Sequence, residues 1–355
     1  MPPLLSFFLR RILSIPISLL IITAILYSFM MMTPAEERAS LYFPANMAHM
    51  TEEQMVRYTE LIIERHHLRA PFPVQYGEWL IHLVSGDWGW SPTLQGDVLA
   101  YLLRRTSVTI ELTLYTLLFF IPLGVLSGVL SALHRGQRFD RIFRGTSFTA
   151  TSLPPFVAAL LLMAFFYVSL HWFPPERLGI QSSLMVGTDQ FIPYTGLMTL
   201  DGLLNGRPEI SLDALRHLVL PVVSLSLFYW ATLGRVARVT MLEELNKEYV
   251  IAARARGIPE RRVIWRHVFR NVLAPSLTSS ALMAASLFTG AFVIERVFNL
   301  KGISEMAMSL ISVPDAPACL GFAIYSVIIV LVIMLVLDTA QAMLDPRLRQ
   351  GLLST

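Results

Sequence analysis

The sequence predicts an all-α membrane protein with six transmembrane helices, and three observations carry that expectation. Of the 355 residues, 54% are hydrophobic and only 15% are charged, against about 25% charged in an ordinary soluble domain. The apolar residues form six uncharged runs at 12–35, 112–133, 145–175, 218–234, 272–294 and 316–337. Spanning about 30 Å of hydrocarbon at 1.5 Å per residue takes roughly 20 residues, which these runs supply. They are continuous and do not alternate apolar with polar, so they read as helices and not as barrel strands. Finally, most of the 28 Lys and Arg residues fall on four pieces, 1–11, 132–144, 235–271 and 338–355, which hold few of the 25 acids. The positive-inside bias places those pieces, and both chain ends, in the cytoplasm. This pattern excludes a disordered chain and an ordinary soluble enzyme. The single cysteine, Cys319, excludes an intramolecular disulfide and a cysteine-based metal cage.

The elements follow in order. The first run comes after Arg10-Arg11; its apolar core is too long for a signal peptide and no small-residue cleavage site follows, so 1–35 is expected to be a cytoplasmic end and a retained first helix. An extracytoplasmic insert occupies 36–107. Within it Thr51-Glu52-Glu53-Gln54 has the form of a capping box, and Met55, Tyr58, Leu61, Ile62 and Leu68 recur at helical spacing. A second helix is expected over 73–84, and Trp79, Trp88 and Trp90 suit a membrane–water boundary. The core, 108–355, holds helices two to six. Gly124 and Gly128 form a G-x-x-x-G pair, with Ser127 and Ser131 beside them, and are read as helix-packing positions. The stretch 176–216, rich in Gly, Pro, Asp and Ser, should be loop with short elements. Ser279, Ser280 and Thr289 make the fifth helix polar enough to line a water path, with simple helix contact the alternative. Glu111, Glu295 and Asp338 flank the runs and are read as headgroup-level residues that pair locally, Glu295 with Arg296.

The cytoplasmic segment 240–275 is the most informative. A helix is expected over 241–256. Gly257 stands where a helix C-terminus wants positive φ, and Pro259 suits the first turn of the next helix, with Glu260 complementing that helix's N-terminus. Val263, Ile264, His267 and Val268 form an apolar stripe, and Pro275 should end the piece before helix five. Two short helices meeting at a corner, each with an apolar stripe, need a partner surface.

This segment resembles the EAA loop of bacterial ATP-binding-cassette importer permeases, specifically the dipeptide/oligopeptide/nickel family. The matching residues are Glu248-Tyr249-Val250, Ala252-Ala253-Arg254-Ala255-Arg256-Gly257, Arg262-Val263, His267, Arg270-Asn271 and Pro275. Gly86-Asp87-Trp88-Gly89, Ser91, Thr109-Ile110-Glu111, Asp140-Arg141, Ser152-Leu153-Pro154 and Leu344-Asp345-Pro346-Arg347 extend the likeness over most of the chain. The chain departs from the family pattern at Met32-Thr33-Pro34-Ala35, at Ile251 in place of the motif's Glu, at Ala274-Pro275 and at Asp315-Ala316-Pro317, and its outer insert is longer than usual.

The resemblance implies half of a translocation channel in the bacterial cytoplasmic membrane. Its partners would be a second homologous permease, two cytoplasmic ATP-binding subunits and an extracytoplasmic solute-binding protein, with no nucleic acid and no cofactor. It assigns Glu248, Tyr249, Ala252, Ala253, Arg256, Gly257, Pro259, Arg262, His267 and Asn271 to ATPase docking. Di- and oligopeptides lead as cargo; nickel chelates, sugars and antimicrobial peptides are carried by similar proteins. Neither lysine, Lys247 after Asn246 or Lys301 after Leu300, follows a glycine, so the chain has no P-loop of its own. A secondary transporter would need intramembrane ionisable groups, and His171 is the one basic residue inside a run. No paired carboxylates or Gly-x-Ser-x-Gly elbow lie in the runs, which argues against an intramembrane enzyme. Adjacent His66 and His67 should point to different sides of a helix, so no metal site is expected there.

Overall fold

The computed structural model describes residues 3–40, 42, 43, 51–91, 93–312 and 315–344. In chain order it comprises α1 (Pro3–Met31), α2 (Ala35–Ser40), α3 (Glu52–Arg65), α4 (Phe72–Ser85), a two-residue antiparallel ribbon β1 (Trp90–Ser91) and β2 (Gly96–Asp97), α5 (Val98–Leu133), α6 (Arg138–Ser152), α7 (Pro155–Leu162), α8 (Ile180–Val186), α9 (Met198–Leu204), α10 (Pro208–Leu245), α11 (Glu248–Ala255), α12 (Glu260–Arg262), α13 (Phe269–Val297), α14 (Ile303–Ser312) and α15 (Ala316–Leu344). Wider, π-type turns extend α7 over Met163–Ser169 and join α12 to α13 over Val263–Val268. Five helices are long and apolar enough to cross a membrane, and α6 with α7 makes a sixth candidate if that bent pair is one span.

The third apolar run is therefore not one straight rod. It breaks at Leu153–Pro154 with a bend of 103°. Leu153 is extended (φ −97°, ψ 124°) because the ring of the following proline crowds an α conformation, and Pro155 then opens α7 at a position that needs no N–H. Pro275 departs from expectation in the other direction. It lies inside α13, which runs unbroken from Phe269 to Val297. A proline removes one backbone bond and a membrane helix tolerates that loss where neighbouring groups compensate.

By packing, the chain falls into two units, each described by itself. One comprises residues 1–4, 107–301 and 333–355. Its core runs from Val108, Leu112 and Phe120 of α5 through Leu225, Leu233 and Met241 of α10 to Leu287 and Ile294 of α13. Several carboxylates are buried in it, among them Glu111 and Glu295, each 1% exposed. Glu111 accepts from Arg177 at 2.8 Å and from both the backbone N–H and the hydroxyl of Thr199 at 2.8 Å, tying the 176–201 loop to α5. Glu295 accepts from the Thr109 hydroxyl. Both residues are thus interior joints of this unit, Glu111 held to the loop and Glu295 held to α5. Of Asp338 the side chain lies outside the described residues.

The other unit comprises 5–106 and 302–332. The Thr51 capping box forms, with the Thr51 hydroxyl and the Gln54 side chain each satisfying the other's backbone N–H. Helix α4 covers the predicted 73–84 and ends on Gly86 at φ +87°. Tyr27, Phe72, Tyr76 and Trp79 pack with Leu320 and Ile324. Buried Arg38 donates to Gln75 at 2.8 Å and to the Leu68 carbonyl. Asp315 accepts from the Ser91 hydroxyl at 2.7 Å and from the Thr93 and Ala318 backbone N–H groups, so it both braces the ribbon and caps α15. His66 and His67 lie just past the end of α3, in the turn and not on the helix. His66 stacks on Tyr42 and His67 faces Glu78.

Candidate functional site

The segment 240–275 forms a bent piece folded against the first unit's core. Its first helix is not continuous over 241–256. Helix α10 stops at Leu245, Asn246 turns its side-chain amide back to the Leu242 carbonyl at 2.9 Å, Lys247 is extended (φ −76°, ψ 150°), and α11 begins at Glu248. Asparagine competes with the helix for backbone partners, which is the physical reason for the break.

Gly257 has φ +73°, and a Cβ there would meet nothing within 4 Å. The backbone is a Schellman cap. The Gly257 N–H reaches the Arg254 carbonyl at 2.9 Å and the Ile258 N–H reaches the Ala253 carbonyl at 3.2 Å. Across this corner the Arg254 guanidinium grips the Glu260 carboxylate through two bonds of 2.6 and 3.1 Å. Pro259 precedes α12 as its cap, one position earlier than the first helical turn expected for it.

The base of the piece is held by a hydrogen-bonded cluster that the spacing did not reveal. Glu244, 7% exposed at the end of α10, accepts from the Tyr249 hydroxyl at 2.8 Å and from Asn271 at 3.3 Å, and Lys247 donates to it as well. Asn271 also donates to the Tyr249 hydroxyl at 3.1 Å. Three elements, α10, α11 and α13, therefore meet at one carboxylate. The signal in the sequence was Glu244 itself, one of two adjacent acids in a stretch otherwise rich in arginine. Nothing local shows that Tyr249 and Asn271 return to it.

Much of the expected apolar stripe turns inward. Val263 and Val268 are fully buried in the unit's own core with Ile264 packed on it, and Val250, outside the expected stripe, is buried in the same core with Tyr249, Ala253 and Ile258 against it. The wide turns at Val263–Val268 rotate the stripe onto α10 and α13, so the chain itself covers it. The face left open includes Glu248, Ile251, Ala252, Arg256, Gly257, Pro259, Arg262, Trp265 and His267. Ile251 is 60% exposed there, and Trp265 40%. The predicted residues thus separate into an anchoring set, Tyr249, Ala253 and Asn271, and an open set around the corner.

A second joint lies between α5, α6 and α10. Arg238 makes a two-pronged contact with buried Asp140 at 2.7 and 3.1 Å, and Asp140 also accepts from Ser131 at 2.7 Å and from the Gly136 backbone N–H at 3.0 Å. Beside it the glycines bring α5 and α10 into backbone contact. A Cβ on Gly128 would fall closer than any real Cβ to the Gly234 carbonyl oxygen, and one on Gly234 would fall 2.8 Å from the Phe143 ring. In α13, Ser280 is buried and donates to the Leu277 carbonyl at 2.9 Å, while Ser279 is half-buried. The Thr289 side chain and the tail 345–355 lie outside the described residues.

Comparison with known proteins adds the family. Residues 121–350 match the model for the binding-protein-dependent transport system inner membrane component. The di/tripeptide transport system permease protein DppB of Pseudomonas aeruginosa is 34% identical over 283 residues, 79% of this chain and 82% of its own length. The oligopeptide transport system permease protein AppB of Bacillus subtilis is 30% identical over 340 residues, 96% of this chain and 97% of its own. The dipeptide transport system permease protein DppB of Escherichia coli K12 is 29% identical over 346 residues, 98% and 99% of the two chains. The matched region contains the anchored corner, the Asp140–Arg238 joint and the glycine crossing, and with it this chain belongs to the family of binding-protein-dependent transport system inner membrane components, the permease subunits of ATP-binding-cassette importers.

Proposed function

We propose that the chain forms half of a peptide-conducting channel and that the corner at Gly257 is where a separate ATPase subunit pushes. One observation carries this reading. The corner is stiffened by the Schellman cap and the Arg254–Glu260 pair and is bolted to α10 and α13 through Glu244, Tyr249 and Asn271, yet it leaves Ile251, Ala252, Arg256, Pro259, Arg262 and His267 open. A rigid piece fixed to two long helices transmits displacement instead of absorbing it. Closure of an ATPase dimer against that face would move α10 and α13 together. In this reading the chain has six spans, with α6 and α7 making the third, and both ends are cytoplasmic. The stretch 1–35 carries the first span, 36–107 is an extracytoplasmic insert, and 108–355 is the permease core. A second permease, two ATPases and a solute-binding protein complete the assembly, and Ser279, Ser280 and Thr289 of α13 border the path. The names of the relatives support di- and oligopeptides as cargo.

The test replaces Gly257 by valine. With open space around the Cβ, the damage is confined to the backbone, because an L residue in the left-handed region costs about 1–2 kcal/mol. In the assembled transporter, uptake of a labelled dipeptide should fall while ATP hydrolysis persists and the chain stays inserted. Gly257→Asn, which tolerates this conformation, should recover most of the uptake. Normal uptake in the valine variant would refute the assignment.

A further inference from the structure

We infer that the groove between α5, α6 and α10 is a binding site for one anionic phospholipid, its acyl chain along the groove and its phosphate at the arginines beside it. The groove has a volume of about 340 Å³ and is walled by Leu123, Leu126 and Leu130 of α5, Phe139 and Ile142 of α6 and Trp230 of α10. Leu123, Leu126, Phe139 and Ile142 of its walls are exposed, Ile142 at 65%, and Leu130 and Trp230 are half-buried. The polar atoms at its edge are already satisfied inside the chain. The Trp230 indole N–H donates to the Ser127 hydroxyl at 2.9 Å, Ser127 donates to the Gly124 carbonyl, and Thr146 donates to the Ile142 carbonyl at 3.0 Å. An aqueous or polar occupant would find nothing to bond, whereas a hydrocarbon chain loses nothing on entering.

One end of the groove, at Leu130 and Phe139, adjoins the turn that joins α5 to α6. That turn and the first turns of α6 carry Arg135, Arg138 and Arg141, all exposed, and among the described residues none of the three has an acidic partner. The nearest acid is Asp140, and it is spent. It is 1% exposed and saturated by Arg238, Ser131 and the Gly136 N–H. A dry apolar slot that ends in three uncompensated guanidinium groups is complementary to a single-tailed stretch of lipid ending in a phosphate.

Native mass spectrometry of the full chain, extracted in mild detergent and titrated with phosphatidylglycerol or phosphatidylcholine, tests this. Phosphatidylglycerol should bind with clear preference. Arg138→Gln combined with Arg141→Gln should weaken it by about fivefold per arginine and leave phosphatidylcholine unchanged. Ile142→Trp, which fills the slot, should abolish the preferred binding, and a charge-matched control, Arg57→Gln with Arg65→Gln, should not alter it. Equal binding of the two lipids, or binding indifferent to these variants, would overturn the inference. So would a photocrosslinker at position 142 that captures another protein chain instead of lipid in native membranes.

Discussion

Replacing Gly128 by alanine probes the tightest place in the first unit. The added Cβ would sit closer than 3.0 Å to the Gly234 carbonyl oxygen and 3.0 Å from the Ala237 Cβ. These are backbone and near-backbone atoms that cannot swing away, so α5 and α10 must separate by about 1 Å to restore ordinary contact. Overpacking of this kind costs about 1–3 kcal/mol. The upper half of that range applies here, because the same two helices are pinned by Ser127 with Trp230 at 2.9 Å and by Ser131 with Arg238 at 3.2 Å, and separation stretches both bonds. A loss of about 2–3 kcal/mol corresponds to a drop on the order of 5 °C in melting temperature. Gly145 is the internal control. It is also helical, but a Cβ there meets nothing within 4 Å. Gly145→Ala should leave the chain unchanged or raise its stability by about 0.5–1 kcal/mol. The assay heats each purified variant in detergent and measures the monodisperse fraction by fluorescence-detected size-exclusion chromatography. If Gly128→Ala melts together with Gly145→Ala, the helices are not in backbone contact and the reasoning fails.

Arg177→Met should destabilise the chain by about 3–5 kcal/mol, since it strands the Glu111 carboxylate at 1% exposure, and adding Glu111→Gln should return part of the loss; the same thermal assay compares the single and double variants. Gln75→Leu removes the amide that receives Arg38 at 2.8 Å and should cost about 1–3 kcal/mol, read as faster proteolysis within α2 to α4, with unaltered cleavage counting against the contact. Partial burial beside Tyr42, aided by the charge of Arg65, holds the His66 imidazole below its ordinary value. The unfolded chain then takes up the proton first, so the insert should lose stability as pH falls below about 6.5 and keep it above. Amide exchange in α3 should show that slope, and His66→Phe should flatten it; an identical slope in both proteins would remove His66 as its source. Tyr249→Phe deletes one of the bonds to Glu244 and should lower uptake by the assembled transporter more than it lowers melting temperature, whereas a purely structural residue would lower both in step.

What the sequence determined by itself was everything governed by neighbours along the chain. Hydrocarbon length sets the apolar runs, Thr51 and Gln54 cap α3 across three residues, and Gly257 takes φ +73° because only its own backbone is asked to turn. The position of the candidate corner was legible for the same reason. What the tertiary structure decided was every outcome that depends on a partner far away. Proline shows the difference. Leu153–Pro154 breaks a run and Pro275 does not, although each breaks the same local rule. Whether freed backbone groups find compensation is a matter of packing. Glu244 is satisfied by residues 5 and 27 positions later, and Asp140 by Arg238, 98 positions later. Val263, Ile264 and Val268 were readable as a stripe, but only the approach of α10 and α13 turned that stripe inward and left Ile251 and Trp265 facing out. Periodicity records that a face is apolar, and the rest of the fold selects what covers it.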